Sequence, residues 1–442
     1  MPSDDGQPAI LARPVTRIGG TIGVPGDKSI SHRAVLLGAV ADGLTTVRGF
    51  LRGEDCLATL AAMRSLGVHV DDSGETLVIH GAGMAGLEAA DGPLDLGNSG
   101  TALRLLAGVL AAQPFASELT GDASLCRRPM ERIAEPLRIM GADVATSGGC
   151  PPLRIAGGAT LHGIDYSLPV PSAQIKSAVL LAGLWANGRT TVRSPGPSRD
   201  HTERMLQAMG VSIELAGDGV VTLAGPAQLT GLAIDVPADF SSAAFFIVAG
   251  LLGADDGLLI RGVGVNPTRT GLLDVLRDMG AHIELRNPGR RGNEPVADIW
   301  VERSELHGVD VGGDAVALSI DELPVLFIAA ACAQGRTTVT GAGELRHKES
   351  DRIAVMAQGL RAVGIAVEER PDGLIIDGGP MQGGRVESRG DHRVAMAFTV
   401  ASLAADAPIE IRSTAEVATS FPGFTATAAS VGLALEACDE RS

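Results

Sequence analysis

Apolar residues recur along this chain in blocks with a constant outline. Each block has a polar opening, an Ala/Leu-rich stretch and a turn marked by Gly or Asp. The copies read "GDKSISHRAVLLGAVADG", "GNSGTALRLLAGVLAAQP", "PSAQIKSAVLLAGLWANG", "DFSSAAFFIVAGLLGADD", "IDELPVLFIAAACAQG" and "GDHRVAMAFTVASLAADA". Their openings fall near Ser29, Ser99, Ser172, Ser241, Asp321 and Asp391. A short β-like run such as "TTVRGF", "LLIRGV" or "IEIRST" follows most copies. A two-faced helical stretch then ends in Gly, as in "LAAMRSLG", "VLRDMG" and "GLRAVG", where a left-handed C-terminal cap is expected. Alternating residues around a Gly turn, as in "VSIELAGDGVVTLAG", predict a strand or hairpin. Each unit therefore reads helix, strand, helix, strand, strand. The first helix is apolar nearly all round and should be buried, and the second should lie outside. Three units precede about Pro237 and three follow. The expected division is one domain over 25–237 and a second built from 1–24 plus 238–442.

Composition narrows the picture. The chain has 442 residues, enough for two cores. Aromatic residues are only 3%, so Ala, Leu, Val and Ile must supply most of the packing. The net charge of −16 argues against nucleic acid or an anionic membrane as partner. Five scattered cysteines, Cys56, Cys126, Cys150, Cys332 and Cys438, fit neither a zinc site nor a disulfide framework. A reducing, cytoplasmic location is expected. The opening "MPSDDGQPAI" has no signal pattern, and runs such as "AAFFIVAGLL" are too short to span a membrane.

Against that acidic background, bases collect at the openings: Lys28, Arg33, Arg104, Lys176 and Arg393. Nearby loops add Arg128 in "CRRPME", Arg199 in "PSRDHTE", and Lys348 and Arg352 in "RHKESDR". Helix N-termini already attract anions through their unpaired N–H groups. The expected ligand is a small molecule, or a pair of them, with several negative charges. "VPGDKSISHRA" is not a nucleotide P-loop, because Asp27 stands between Gly26 and Lys28. "LGNSGTALR" lacks G-x-S-x-G, so Ser99 reads as a helix cap. The nine histidines show no metal-ligand spacing, and no metal is expected. Two carboxylates, Asp321 in "SIDELP" and Glu349 between Lys348 and Arg352, are either a cap and an ion-pair partner or the proton shuttles of a basic cleft.

Taken together, "GDKSISHRA", "LGNSGTALR", "GDASLCRRPM", "SAQIKSAVLLAGL", "RDHTERML", "DFSSAAFF", "HKESDR" and "DHRVAM" resemble the 5-enolpyruvylshikimate-3-phosphate synthases, in order, from about residue 13 to about 430. The resemblance implies an α/β fold of two similar domains, each of three βαβαββ units whose buried helices point their N-termini at an interdomain cleft. It implies transfer of the enolpyruvyl group of phosphoenolpyruvate to the 5-hydroxyl of shikimate 3-phosphate, with release of phosphate and without cofactor. It assigns Lys28, Ser29, Arg33, Ser172, Ala173, Gln174, Arg199, Asp321 and Lys348 to shikimate 3-phosphate. It assigns Lys28, Asn98, Gly100, Arg128, Gln174, Arg352 and Arg393 to phosphoenolpyruvate. Asp321, Glu349 and Lys28 are the expected catalytic groups. A monomer that closes on its substrates is expected.

The chain departs from the better-known family pattern at Leu105, where a Pro is usual, at Thr419, usually Lys, and at Ala173, usually Ser. The Arg199 loop resembles the branch known for tolerating glyphosate. Ala often occupies position 100 there, whereas this chain has Gly100. Two other readings compete. One is the sister transferase acting on UDP-N-acetylglucosamine, which carries a reactive Cys near the position of Cys126. The other is a non-catalytic anion-binding protein on the same scaffold.

Overall fold

The computed structural model describes residues 8–217 and 219–439. They form two units. One is inserted in the chain and comprises Gly26–Val236 with Arg290–Glu294. The other is discontinuous and comprises Met1–Pro25, Pro237–Gly289 and Pro295–Ser442. The short return of the chain at Arg290–Glu294 had no counterpart in the sequence reading.

The inserted unit carries α1 (Lys28–Val40), α2 (Glu54–Ser65), α3 (Gly100–Leu110), α4 (Glu131–Ile139), α5 (Ala173–Gly183) and α6 (His201–Ala208). The discontinuous unit carries α7 (Phe240–Gly253), α8 (Gly271–Asp278), α9 (Asp314–Ser319), α10 (Leu323–Cys332), α11 (Arg352–Ala362), α12 (His392–Ala401), α13 (Val417–Ser420) and α14 (Phe424–Ser430).

Among the described residues the strands form six four-stranded sheets with one pattern. An edge strand pairs in parallel with the strand after the buried helix, and an antiparallel hairpin completes the sheet. In the second repeat these are Leu94–Asp95, Ser117–Thr120, Cys150–Ile155 and Val144–Ser147. A parallel pair needs a crossover, and α3 supplies it. Each repeat is thus βαβαββ. The edge strands are exchanged where the chain passes between units. Gly20–Ile22 pairs with Leu258–Gly264 in the discontinuous unit. Ala233–Asp235 pairs with Asp42–Arg48 in the inserted unit. In the last sheet, Pro8–Arg13 is an inner strand between Ile409–Arg412 and Ala434–Asp439.

Helix α1 starts where Asp27 accepts a hydrogen bond from the Ile30 N–H at 2.8 Å. Helices α3, α5, α7 and α12 are capped likewise by Ser99, Ser172, Asp239 and Asp391. The openings assigned to Ser29 and Ser241 therefore begin two residues earlier, at acids. The fifth opening needs a larger correction. Helix α10 begins at Leu323 with Glu322 as N-cap residue, so Asp321 lies one residue before the cap position.

The outer helices α2, α4, α6, α8, α11 and α14 are each followed by a glycine with φ between 85° and 108°: Gly67, Gly141, Gly210, Gly280, Gly364 and Gly432. A side chain would be strained there, which is why this residue recurs at the same point of all six repeats.

Helices α1, α3 and α5 run through the core of the inserted unit. Leu103, Leu105, Leu106 and Leu110 of α3 are fully buried, each stabilising the fold by about 1.5–3 kcal/mol. Leu105 is therefore a core residue. A Cβ on Gly108 would fall 2.3 Å from the Ala178 carbonyl oxygen, so α3 and α5 touch there backbone to backbone. The scarce aromatics are unevenly shared. Seven of the nine phenylalanines pack in the core of the discontinuous unit, with Phe246, Phe421 and Phe424 in mutual edge or tilted contact. No described helix is long and apolar enough to cross a membrane.

Candidate active site

Each unit gathers the first turns of its three buried helices. In the inserted unit, Gln174 of α5 donates to the Thr101 hydroxyl of α3 at 2.9 Å and accepts from Arg104 Nη1 at 2.5 Å. Arg128 donates to the side-chain oxygen of Asn98, whose amide donates to Asp122 at 2.7 Å. Gly100 lies between the two guanidinium groups: a Cβ there would sit 3.0 Å from Arg104 Nη1 and 3.1 Å from Arg128 Nη1. Asn98, Gly100, Arg128 and Gln174 thus form one group around the mouths of α3 and α5.

Arg33, one turn into α1, is 3% exposed. Its Nε donates to the Thr202 hydroxyl at 2.7 Å, Nη2 to Ser177 at 2.8 Å and Nη1 to the Ser29 carbonyl at 2.9 Å. Burial, opposed by the nearby Glu203 and Asp27 carboxylates, pulls its pKa down to about 10, and the Arg199 charge adds to the fall. Arg33 stays charged at neutral pH and links α1, α5 and α6. Lys176 pairs with Glu203 at 2.6 Å with both side chains buried. Lys28 pairs with Asp55 of α2 at 2.8 Å, both side chains under one-fifth exposed. His32 Nδ1 lies 2.7 Å from the Thr59 hydroxyl. Burial, aided by the Lys28 and Arg33 charges, holds the ring well below its ordinary pKa of 6.5 and hence neutral.

The discontinuous unit builds a different cluster. Asp321 faces Lys348 at 3.4 Å, Arg352 at 3.7 Å and Arg393 Nη2 at 3.8 Å. Arg393 Nη1 also donates to the Asp321 carbonyl at 2.8 Å. Arg352, 1% exposed, donates to Glu349 at 2.6 Å and to Asp391 at 2.8 Å. Burial pulls its pKa down, but Asp391 and Glu349 more than offset that and raise it. Burial likewise pushes Asp391 up, and Arg352 overrides it, so Asp391 titrates below its ordinary range. Behind Asp321, Glu322 accepts from the Ser241 hydroxyl, which accepts in turn from Arg269 at 2.6 Å.

The expected residues thus fall into two groups. Lys28, Ser29, Arg33, Asn98, Gly100, Arg128, Ser172, Ala173, Gln174 and Arg199 belong to the inserted unit, and Asp321, Lys348, Glu349, Arg352 and Arg393 to the other. Thr202, Ser177, Glu203, Asp55 and Glu322 were missed. The first three had a signal, since a buried Arg and a buried Lys in helix mouths demand partners.

This sixfold βαβαββ scaffold is the fold of the enolpyruvyl transferases. The enolpyruvyl transferase NikO of Streptomyces tendae has this fold, with a TM-score of 0.78 at 19% identity over 98% of this chain and 99% of that one. The resemblance becomes specific at higher identity. The sequence profile of EPSP synthase (3-phosphoshikimate 1-carboxyvinyltransferase) matches residues 12–427. A 3-phosphoshikimate 1-carboxyvinyltransferase of Acidithiobacillus ferrooxidans is 58% identical, covering 96% of this chain and 98% of that one. One from Methylococcus capsulatus is 55% identical with the same coverage. An EPSP synthase structure from Acinetobacter baumannii has a TM-score of 0.87 at 50% identity, covering 98% of this chain and all of that one. The chain belongs to the EPSP synthase family. It is a transferase of the shikimate pathway, moving the enolpyruvyl group of phosphoenolpyruvate onto shikimate 3-phosphate.

Proposed function

We propose that the cluster in the inserted unit binds the substrate anions and that the cluster around Asp321 and Glu349 performs the proton transfers, assisted by Lys28. The observation that carries this reading is the setting of Asp321. Lys348, Arg352 and Arg393 all lie within 4 Å of its carboxylate. Nearby cations favour the ionised form of a carboxylate, the form that accepts a proton, and fix its position.

In this scheme Ser172, Ala173, Gln174 and Arg199 hold the phosphate of shikimate 3-phosphate. Ser29 and Lys348 contact its ring, and Arg33 braces that wall. Asn98, Gly100, Arg128, Gln174, Arg352 and Arg393 hold phosphoenolpyruvate, with Lys28 reaching both substrates. Asp321 takes the proton of the 5-hydroxyl as that oxygen bonds to C2 of phosphoenolpyruvate. Glu349, protonated on entering this step, gives its proton to C3, turning the methylene into a methyl group, and the carboxylate left behind is held by Arg352. From the tetrahedral intermediate Glu349 recovers a methyl proton as the C2–O bond to phosphate breaks. Asp321 then returns its proton to the departing phosphate, and the cationic groups stabilise the charge developing on it. The cycle balances without redox change, and the side chains supply every proton it needs. The chain works as a monomer in the cytoplasm.

Release of inorganic phosphate from phosphoenolpyruvate, strictly dependent on shikimate 3-phosphate, tests the scheme. Asp321→Asn and Glu349→Gln should each lower release by about 10²–10⁴-fold while shikimate 3-phosphate still binds by calorimetry. Wild-type turnover in either variant rejects the assignment. A single mass near 45 kDa by light scattering checks the monomer.

A further inference from the structure

Helix α6 carries much and holds itself poorly. It has only eight residues, too few to be stable alone, and Asp200 at its N-cap position makes no side-chain cap bond. Asp200 instead accepts from Arg204 Nε at 2.8 Å. Yet the first turn of α6 presents the Thr202 hydroxyl, which accepts from Arg33 Nε and lies 2.7 Å from Ser177. It also presents Glu203, the buried partner of Lys176. Arg199 stands two residues before the helix.

What fixes this turn comes from elsewhere in the chain. The hairpin Ile283–Arg291 and Glu294–Val301 is rooted in the discontinuous unit, but its tip, Arg290–Glu294, belongs to the inserted unit. Glu294, 5% exposed, lies 2.8 Å from Nδ1 of His201, itself 2% exposed. His201 Nε2 is buried without a hydrogen-bond partner, so this contact sets the ring's orientation. One residue back, the Asn293 carbonyl accepts from Arg204 Nη1 at 2.9 Å, and the Asn293 amide donates to the Arg204 carbonyl at 3.1 Å. Burial would raise the pKa of Glu294, but the His201 hydrogen bond and the His201 and Arg204 charges together outweigh it and hold the carboxyl low.

We propose that the tip Asn293–Glu294 is a positioning clamp for the first turn of α6, and through it for the residues that recognise the phosphate of shikimate 3-phosphate. Glu294 and His201 are positioning residues that touch no substrate. The proposal rests on the assignment of Arg199 and its neighbours to that substrate.

The test compares Glu294→Ala, Glu294→Gln and, as a check on the underlying assignment, Arg199→Ala. Each is read by calorimetric binding of shikimate 3-phosphate, by KM for each substrate and by kcat. Glu294→Ala should weaken shikimate 3-phosphate about tenfold, the scale of one hydrogen bond to a charged group. Its KM for phosphoenolpyruvate and its kcat at saturation should stay within about twofold, because only uniform binding is lost. Glu294→Gln keeps an acceptor for the His201 N–H and should recover most of the affinity. If Arg199→Ala weakens the substrate while Glu294→Ala leaves it unchanged, the clamp is refuted. It is also refuted if Glu294→Ala raises both KM values alike, as general loosening would. If Arg199→Ala itself leaves the affinity unchanged, the substrate assignment fails and the clamp falls with it.

Discussion

The inserted and discontinuous units build the same repeat and arm it with opposite chemistry. Two of the three buried helices in the inserted unit are capped by neutral serines, Ser99 and Ser172. Their partial positive ends stay uncompensated, and Arg104, Arg128 and Gln174 surround them. In the discontinuous unit two of the three buried helices, α7 and α12, are capped by the acids Asp239 and Asp391, each buried against an arginine, Arg269 at 3.6 Å and Arg352 at 2.8 Å. There the helix ends are neutralised from within, and cations and carboxylates interlock. One unit is arranged to attract anions. The other is arranged to hold carboxylates still at short range, as proton transfer requires. A shared backbone leaves this difference entirely to the cap residue and its neighbours.

The sharpest way to break the comparison is to disable one chemistry and read both. Glu349→Gln should lower kcat by about 10²–10⁴-fold, the range of a general acid–base group. Affinity for shikimate 3-phosphate should change little, as seen by calorimetry. Ser172→Ala should do the reverse. It removes a cap that accepts from the Ile175 N–H at 3.4 Å, costing about 1 kcal/mol of helix stability. It should also raise KM for shikimate 3-phosphate roughly tenfold, with kcat nearly unchanged in steady-state phosphate release.

A smaller effect is expected at Gly100. An added methyl meets only the ends of two flexible arginines, so Gly100→Ala should raise KM for phosphoenolpyruvate by about two- to fivefold through displaced side chains. The inhibition constant for glyphosate should rise more steeply, and an unchanged constant refutes that expectation.

The mildest effect separates the units by pH. His32 in the inserted unit is neutral when folded, with a pKa depressed below 6.5. Its stabilisation is complete above pH 6.5 and is lost below it, by at most about 1.4 kcal/mol per pH unit, because the unfolded chain takes up a proton that the folded one refuses. Asp391 in the other unit is depressed below its ordinary 3.8, so its contribution persists to more acid conditions and fades only as pH falls through its folded value. Hydrogen exchange should therefore show α1 loosening between pH 6.5 and 5, while α11 and α12 stay protected. His32→Asn should remove the difference.

Much of this was legible in the sequence, for physical reasons. A helix apolar on every side can only be buried, and a glycine closing each outer helix reports a left-handed turn, so the repeat announced itself. Bases at helix mouths in an acidic chain marked the binding surface. Legibility ended where a residue's role depends on which neighbour reaches it. Asp321 looked like a cap because it precedes a helix, but the backbone enters that helix one residue later and leaves its carboxylate to three cations. Glu294 gave no signal, because a short hairpin tip 93 residues from His201 in sequence carries no mark of where it docks.

The exchange of strands also sets an order of events at the ribosome. The inserted unit owns nearly all its sheets once Ala233–Asp235 has emerged. Pro8–Arg13 is translated long before its partner Ala434–Asp439. At about 5–20 residues per second this interior strand waits roughly 20 to 80 s for its neighbour. Once Ala233–Asp235 is out, the nascent chain carries a nearly finished half and an unpaired segment, so exposure to aggregation during synthesis falls on one half of the molecule.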